Sequence, residues 1–188
     1  MQSEYMRQKL TLVYNLLLRP KRVFNLVVKE IETLLGWDRL HYYPSVLTID
    51  VGNVCNLKCP LCPTGRGDKG VERGFMSFER FQRVLNEVGP YLTDLDLHNW
   101  GEPLLNKDLI AMVRLAKKQG ITVNISSNLM RLDAQTAEAL IASKIDKIFI
   151  SLDAASPETY KIYRIGGDFD TVIEHIRLLL AAKKKLNL

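Results

Sequence analysis

From residue 45 onward, apolar and polar positions alternate with period two in four short runs, and each run gives way to a stretch with helical period. The runs cover about 46–52, 94–100, 122–128 and 147–153; the helical stretches cover about 77–89, 106–119, 133–143 and 170–185, with a further turn of helix near 157–163. Period two marks strands and a 3.6-residue period marks helices. Ser77, Asn106, Asp133 and Ser156 stand where N-caps are needed, and Pro157 suits a first helical position. Gly120 and the Gly89-Pro90 pair are stop signals. Strands alternating with helices predict an α/β fold with βαβ crossovers and a parallel sheet.

The two faces of these strands differ. Leu47, Ile49 and Val51, Leu95 and Leu97, Val123 and Ile125, and Ile148, Ile150 and Leu152 share the face that packs under helices. The other face carries Thr48 and Asp50, then Asp96, His98 and Trp100, then Asn124, Ser126 and Asn128, then Ser151 and Asp153. A parallel strand buried on both sides is nearly all apolar, and a filled barrel interior is dominated by branched aliphatics. Buried polar groups need partners. The pattern therefore predicts an open barrel whose interior holds a polar ligand. Ligands in such folds bind at the C-terminal strand ends.

Residues 1–44 predict two helices. Met6, Leu10, Val13 and Leu17 recur at helical spacing, Arg19-Pro20 interrupts, and Phe24, Val27, Val28, Ile31, Leu34 and Leu35 then form a stripe ended by Gly36. The chain thus divides into a helical extension, 1–44, and a core, 45–188. Packing of the stripe on the core is the expectation. Contact of residues 1–35 with a membrane surface is the other reading, because a basic amphipathic helix can lie on lipid. Residues 1–29 carry Arg7, Lys9, Arg19, Lys21, Arg22 and Lys29 against Glu4, which matches the whole net charge of +5. The remainder is balanced, which argues against general nucleic-acid binding. Mean hydropathy is −0.04, and no run approaches the roughly 18 apolar residues of a membrane span. The chain shows no signal-peptide layout, and its three cysteines sit in one loop, leaving none for a disulfide framework. A reducing, cytoplasmic compartment is expected.

That loop, directly after the first strand, is Cys55-Asn56-Leu57-Lys58-Cys59-Pro60-Leu61-Cys62-Pro63, a C-x3-C-x2-C spacing. Three clustered thiolates suit zinc, copper(I) or an iron–sulfur cluster. A structural zinc site closes with four protein ligands, and His98 is the candidate fourth. A cubane held by three cysteines leaves one iron open to a small molecule. Three unrelated buried thiols are the plainest alternative.

The motif after a first strand resembles the cluster motif of the radical S-adenosylmethionine (radical SAM) enzymes. Trp100-Gly101-Glu102-Pro103 resembles their Gly-Glu-Pro motif after the second strand, and Ser126-Ser127-Asn128 their polar end of the third. The run from Ser151-Leu152-Asp153 to Tyr160 is similar to the fourth-strand segment of members that often carry an auxiliary-cluster SPASM domain. The resemblance implies a 4Fe–4S cluster on Cys55, Cys59 and Cys62, with S-adenosylmethionine (SAM) chelating the open iron. It implies reductive cleavage of SAM to a 5′-deoxyadenosyl radical that abstracts hydrogen from a substrate, as an oxidoreductase or transferase does. The cofactor-binding residues it implies are Gly101, Glu102, Pro103, Ser126, Asn128, Ser151, Asp153 and Arg164. Glu102 and Gly101 match the methionine-ammonium site, Ser126 and Ser151 the carboxylate or ribose, Asn128 and Asp153 the ribose, and Arg164 the carboxylate. Leu61 stands where the family often has an aromatic residue against adenine. Asp50, Asp96 and His98 are left for substrate or internal polar contacts. A one-electron donor such as flavodoxin or ferredoxin is implied, and peptides, RNA, lipids and small molecules are all substrates of the family. Related cores use six strands, so the resemblance implies that residues 45–188 are the first four βα units of a six-unit core, a partial TIM barrel, and a chain truncated after four is expected to be inactive alone. The alternative is a catalytically incomplete fragment or a non-enzymatic iron–sulfur or zinc module.

Overall fold

The computed structural model describes residues 19–187, so the first of the two N-terminal helices expected from sequence lies outside the described residues. Helix α1 is Pro20–Leu35. Four parallel strands, β1 (Val46–Thr48), β2 (Asp94–Asp96), β3 (Thr122–Ser127) and β4 (Lys147–Ile150), lie side by side in chain order. Residues 46–48 register with 94–96, 94–96 with 122–124, and 124 and 125–127 with 147 and 148–150. A short α2 (Pro63–Arg66) and α3 (Phe78–Val88) join β1 to β2, α4 (Leu109–Lys118) joins β2 to β3, and α5 (Ala134–Ala142) joins β3 to β4. After β4 come α6 (Pro157–Tyr163) and α7 (Phe169–Lys185). This is the α/β parallel sheet that the alternation predicts.

One face of the sheet is the core. Ile49, Val51, Leu95, Leu97, Val123 and Ile125 are buried there against Phe81 and Leu85 of α3, Met112 and Val113 of α4, Leu140 of α5 and Val172 of α7. Burying such side chains contributes about 1.5–3 kcal/mol each. Ile148 and Ile150 are only partly buried, because β4 is an edge strand with one neighbour.

Each strand is shorter than its alternating run. Beyond Ile49, whose N–H still donates to Asp96 O at 2.8 Å, the chain changes partner: Gly52 bridges antiparallel to Phe75, and Met76 N–H donates to Val51 O at 3.0 Å. Ser77, Asp133 and Ser156 cap α3, α5 and α6 as expected, and Gly120 ends α4 at φ +62°. Asn106 does not cap α4, which begins after Asp108. Its buried amide instead donates to Val51 O (2.7 Å) and Met76 O (3.0 Å), and its Oδ1 accepts from Asp108 N–H (2.8 Å). A buried polar side chain meets carbonyls from two distant segments, a demand that outweighs one helix end. Asp168, which caps α7, was not anticipated.

Ser156 forms a reciprocal capping box with Thr159. Ser156→Ala should therefore cost about 1 kcal/mol, read as a lowered urea midpoint at unchanged slope. An unchanged midpoint would show that α6 is held by its packed face alone.

The α1 stripe departs from expectation. Phe24 is 70%, Ile31 49% and Leu34 85% exposed, whereas Arg22, Asn25 and Glu32 are buried. The reason is hydrogen bonding. Arg22 donates to Gly120 O (3.0 Å), Gln119 O (3.4 Å) and Gly89 O (3.5 Å), at the C-terminal ends of α3 and α4. A cation there meets carbonyls that have no partner within their helices, and the negative end of two helix dipoles. Burial, with the Arg19 charge adding, lowers its pKa only to about 10, so it stays charged. Asn25 exchanges two hydrogen bonds with the Tyr43 backbone (2.8 and 2.9 Å), and Glu32 accepts from His41 N–H (2.9 Å) and meets its Nδ1 (2.8 Å). The helix is fastened by its polar side.

Candidate active site and metal centre

A cavity opens at the C-terminal ends of the strands, with an empty volume of about 610 Å³ including its solvent-open part. It is lined by Cys55, Cys59 and Cys62 and by Gly101, Glu102, Ser126, Asn128, Ser151 and Arg164. Residues from four separate strand ends thus meet around the cysteine loop. Pro103 begins a buried 3₁₀ turn, Pro103–Leu105, and Asp153 reaches the site by its ion pair with Arg164. Leu61 is 75% exposed and does not line the cavity.

Three groups direct hydrogen toward cysteine sulfur. Leu57 N–H lies 3.4 Å and Asn128 Nδ2 3.7 Å from Cys55 Sγ, and Arg164 Nη1 lies 3.7 Å from Cys59 Sγ. Burial raises the Cys55 thiol, and Glu102 and the two neighbouring cysteines raise it further as negative charges, while the Leu57 N–H works the other way. Cationic or hydrogen-bonded charge compensation is what such a thiol needs to ionise.

Close backbone approach requires glycine at two points. A Cβ on Gly101 would lie 1.9 Å from Gly52 O, and one on Gly65 would lie 2.5 Å from both N and O of Cys59. The turn after β2 is thereby pressed against the chain entering the cysteine loop, and α2 against the loop itself.

Glu102 is 2% exposed. Its Oε1 accepts from Leu104 N–H (3.1 Å) and Ser127 Oγ–H (2.7 Å), and its Oε2 from Asn128 N–H (2.8 Å). Burial pushes the carboxyl up, against the pull of these donors and of the Arg164 charge. Glu102 therefore ties the turn after β2 to the end of β3. Ser127, part of the Ser126-Ser127-Asn128 run, was given no role from sequence. Its signal was a polar residue on the face of Val123 and Ile125.

The polar inner face pairs sideways. Asn124 Nδ2 donates to Asp96 Oδ1 (2.8 Å), the Ser126 and Ser151 hydroxyls are 3.2 Å apart, and Asp50 accepts from Trp100 N–H (2.9 Å) and Asn99 Nδ2 (3.4 Å). Asp50 and Asp96 thus serve internal contacts. His98 lines the cavity and meets Phe149 edge-on at 6.2 Å, an apolar lumen residue that sequence reading passed over.

A model of the Radical SAM superfamily matches residues 49–187. The chain belongs to the radical SAM superfamily. Among its radical SAM relatives, the GTP 3′,8-cyclase of Limosilactobacillus fermentum is 34% identical over 166 residues, covering 81% of this chain and 46% of that enzyme. The mycofactocin maturase MftC of Mycobacterium ulcerans is 28% identical over 139 residues, covering 74% and 37%. Streptococcus suis SuiB bound to S-adenosylmethionine superposes with a TM-score of 0.66 at 20% identity, covering 82% of this chain and 35% of that one. At that identity the likeness is one of fold. The chain spans less than half the length of each of these relatives.

The cofactors of the radical SAM superfamily are a 4Fe–4S cluster and SAM, and the residues present fit them. Three thiols with N–H donors aimed at two of them line one cavity that also carries the Arg164 guanidinium and a row of hydroxyls and amides. Among the described residues, no three His, Cys, Asp or Glu side chains group as ligands of a single metal ion. No helix among the described residues is long and apolar enough to cross a membrane.

Proposed function

We propose that this cavity is the cofactor centre of a radical SAM enzyme, in which Cys55, Cys59 and Cys62 hold the cluster and the opposite strand ends hold SAM. The observation that carries the reading is the convergence of the three thiols with Glu102, Asn128 and Arg164 on one cavity. When bound, cluster and SAM supply one-electron cleavage of the sulfonium bond. The chain's own residues bind, orient and exclude water. Leu57, buried to 2% exposure, and the buried Cys59 line the cavity. Arg164, charged and held by Asp153, presents a guanidinium suited to a carboxylate. Asn128 and the Ser126–Ser151 pair offer polar groups for the ribose or carboxylate. With three donors already on its carboxylate, Glu102 acts mainly by fixing Gly101 and Asn128, leaving one side of Oε2 and the turn backbone for an ammonium group. Pro103 stiffens that turn.

The relatives' names span a GTP 3′,8-cyclase, an AdoMet-dependent heme synthase and a mycofactocin maturase, so the proposal stops at radical modification of a substrate with electrons from a flavodoxin or ferredoxin. Residues 45–188 form the core and 1–44 its extension in this reading. Anaerobic reconstitution should give uptake of iron and sulfide and a cluster EPR signal that SAM perturbs. One tightly held zinc and no sulfide would overturn it.

A second reading is favoured by the exposed face of α1: contact of residues 1–35 with an anionic membrane surface. Phe24, Val27, Ile31 and Leu34 point to solvent, Trp37 and Tyr43 are half exposed, and Lys21 is exposed beside them. The protein should co-sediment with phosphatidylglycerol vesicles, less so in high salt, and Ile31→Glu should reduce binding about tenfold. Equal sedimentation with and without vesicles would sink this reading.

A further inference from the structure

Residues 72–76 run antiparallel beside 51–53. Asn53 N–H donates to Gly74 O (3.1 Å), its Oδ1 accepts from Gly74 N–H (2.8 Å), its Nδ2 donates to Glu72 O (2.8 Å), and Gly52 bridges Phe75. This pairing delivers Arg73 to the neck of the cysteine loop. Its Nη1 donates to Asn53 O (2.9 Å) and Thr64 Oγ (3.0 Å), and its Nη2 to Pro63 O (3.3 Å) and Asp68 O (3.4 Å). Asn53 lies two residues before Cys55, and Pro63 directly follows Cys62. One guanidinium therefore joins both ends of the segment that holds all three thiols. Thr64 passes the link on, since its hydroxyl donates to Trp100 O at the start of the Gly101-Glu102-Pro103 turn.

The acceptors are three carbonyls and a hydroxyl. The nearby Asp68 carboxylate is engaged by Arg66 through two hydrogen bonds (2.5 and 3.0 Å), and among the described residues Arg73 forms no ion pair. Its exposed charge lies beside the Asp68 carboxylate, at the neck of the loop that holds the three thiols.

We propose that Arg73 is a positioning residue for the cluster. It closes the neck of the cysteine loop so that the three thiols are gathered before iron arrives, and its charge favours the reduced cluster. Two physical effects are joined here. Fixing the loop ends removes conformational freedom that cluster binding would otherwise have to remove. A cation near the cluster makes addition of an electron easier, because net charge is among the determinants of cluster potential. Lysine would supply the charge without the fork, since an ammonium is a compact point donor that does not reach four separate acceptors at once.

The inference rests on the cluster reading above, and the test separates the two. Wild-type protein, Arg73→Gln and Arg73→Lys are reconstituted anaerobically with iron and sulfide. Iron loss to a chelator is timed, and the cluster's midpoint potential is titrated by EPR. Arg73→Gln should lose iron roughly tenfold faster, within the range that residues supporting metal ligands show, and its potential should move to more negative values. Arg73→Lys should keep the wild-type potential yet lose iron faster. Wild-type rates and potential in Arg73→Gln would overturn the inference, as would full recovery of iron retention in Arg73→Lys. A metal-free Arg73→Gln protein that loses urea stability in proportion to its iron retention would make Arg73 a fold residue and overturn it also. If the wild type itself takes up no iron and sulfide, the cluster reading fails instead.

Discussion

Cys59→Ala is expected to give a folded protein that retains no iron–sulfur cluster. Cys59 is 5% exposed, and alanine keeps its Cβ and the backbone packing against Gly65 while removing one sulfur atom. Loss of a small buried side-chain atom costs about 1 kcal/mol, well inside the usual stability margin. The consequence for the cluster is of another order. Cys59 is the middle thiol of three and the one that Arg164 faces at 3.7 Å. Two thiolates do not hold a cubane that already lacks a fourth protein ligand. Circular dichroism of the metal-free variant should match the wild type, while iron and sulfide after desalting fall to background. A wild-type cluster spectrum in the variant would remove Cys59 from the ligand set.

Glu102→Ala should be the most destabilising single change in the site. It leaves Leu104 N–H, Ser127 Oγ–H and Asn128 N–H without their acceptor in a nearly buried place at the edge of the cavity. An orphaned buried donor costs about 1–3 kcal/mol, so a loss of about 3 kcal/mol or more is expected in urea denaturation. A loss within about 0.5 kcal/mol, the range of ordinary surface substitutions, would show that the donors find other partners. The carboxyl also carries a pH signature. Burial raises its pKa in the folded chain above the unfolded value. Its contribution is then fully present below the unfolded carboxylate range and is lost as pH rises through the folded pKa. Glu102→Gln removes that titration, so wild type should lose stability relative to the glutamine variant as pH rises from acid toward neutral. A difference that is flat with pH would show that the carboxyl ionises normally.

The alternating runs were enough to place Ile49, Leu95, Val123 and Ile125 under helices and Asp96, Asn124, Ser126 and Ser151 opposite, because strand side chains alternate whatever lies beyond them. Ser77, Asp133 and Ser156 could be named as caps because a cap is settled within three or four residues. The C-x3-C-x2-C spacing likewise puts three thiols within reach of one centre through local chain geometry alone. Other features depended on residues far apart in the chain. Asn106 left its expected cap for Val51 O and Met76 O, 55 and 30 residues away. Glu102 found its partners on Ser127 and Asn128, and Arg73 reached Asn53, 20 residues before it, at the neck of the cysteine loop. Helix α1 shows the difference most directly. Its period states that an apolar stripe exists, and general hydrophobicity turns that stripe inward. The folded chain turns it outward, because the carbonyl ends of α3 and α4 converge where Arg22 can reach them, 67 to 98 residues away. Hydrophobic periodicity is a property of one segment, whereas a buried cation's hydrogen-bond partners exist only after distant helices have packed.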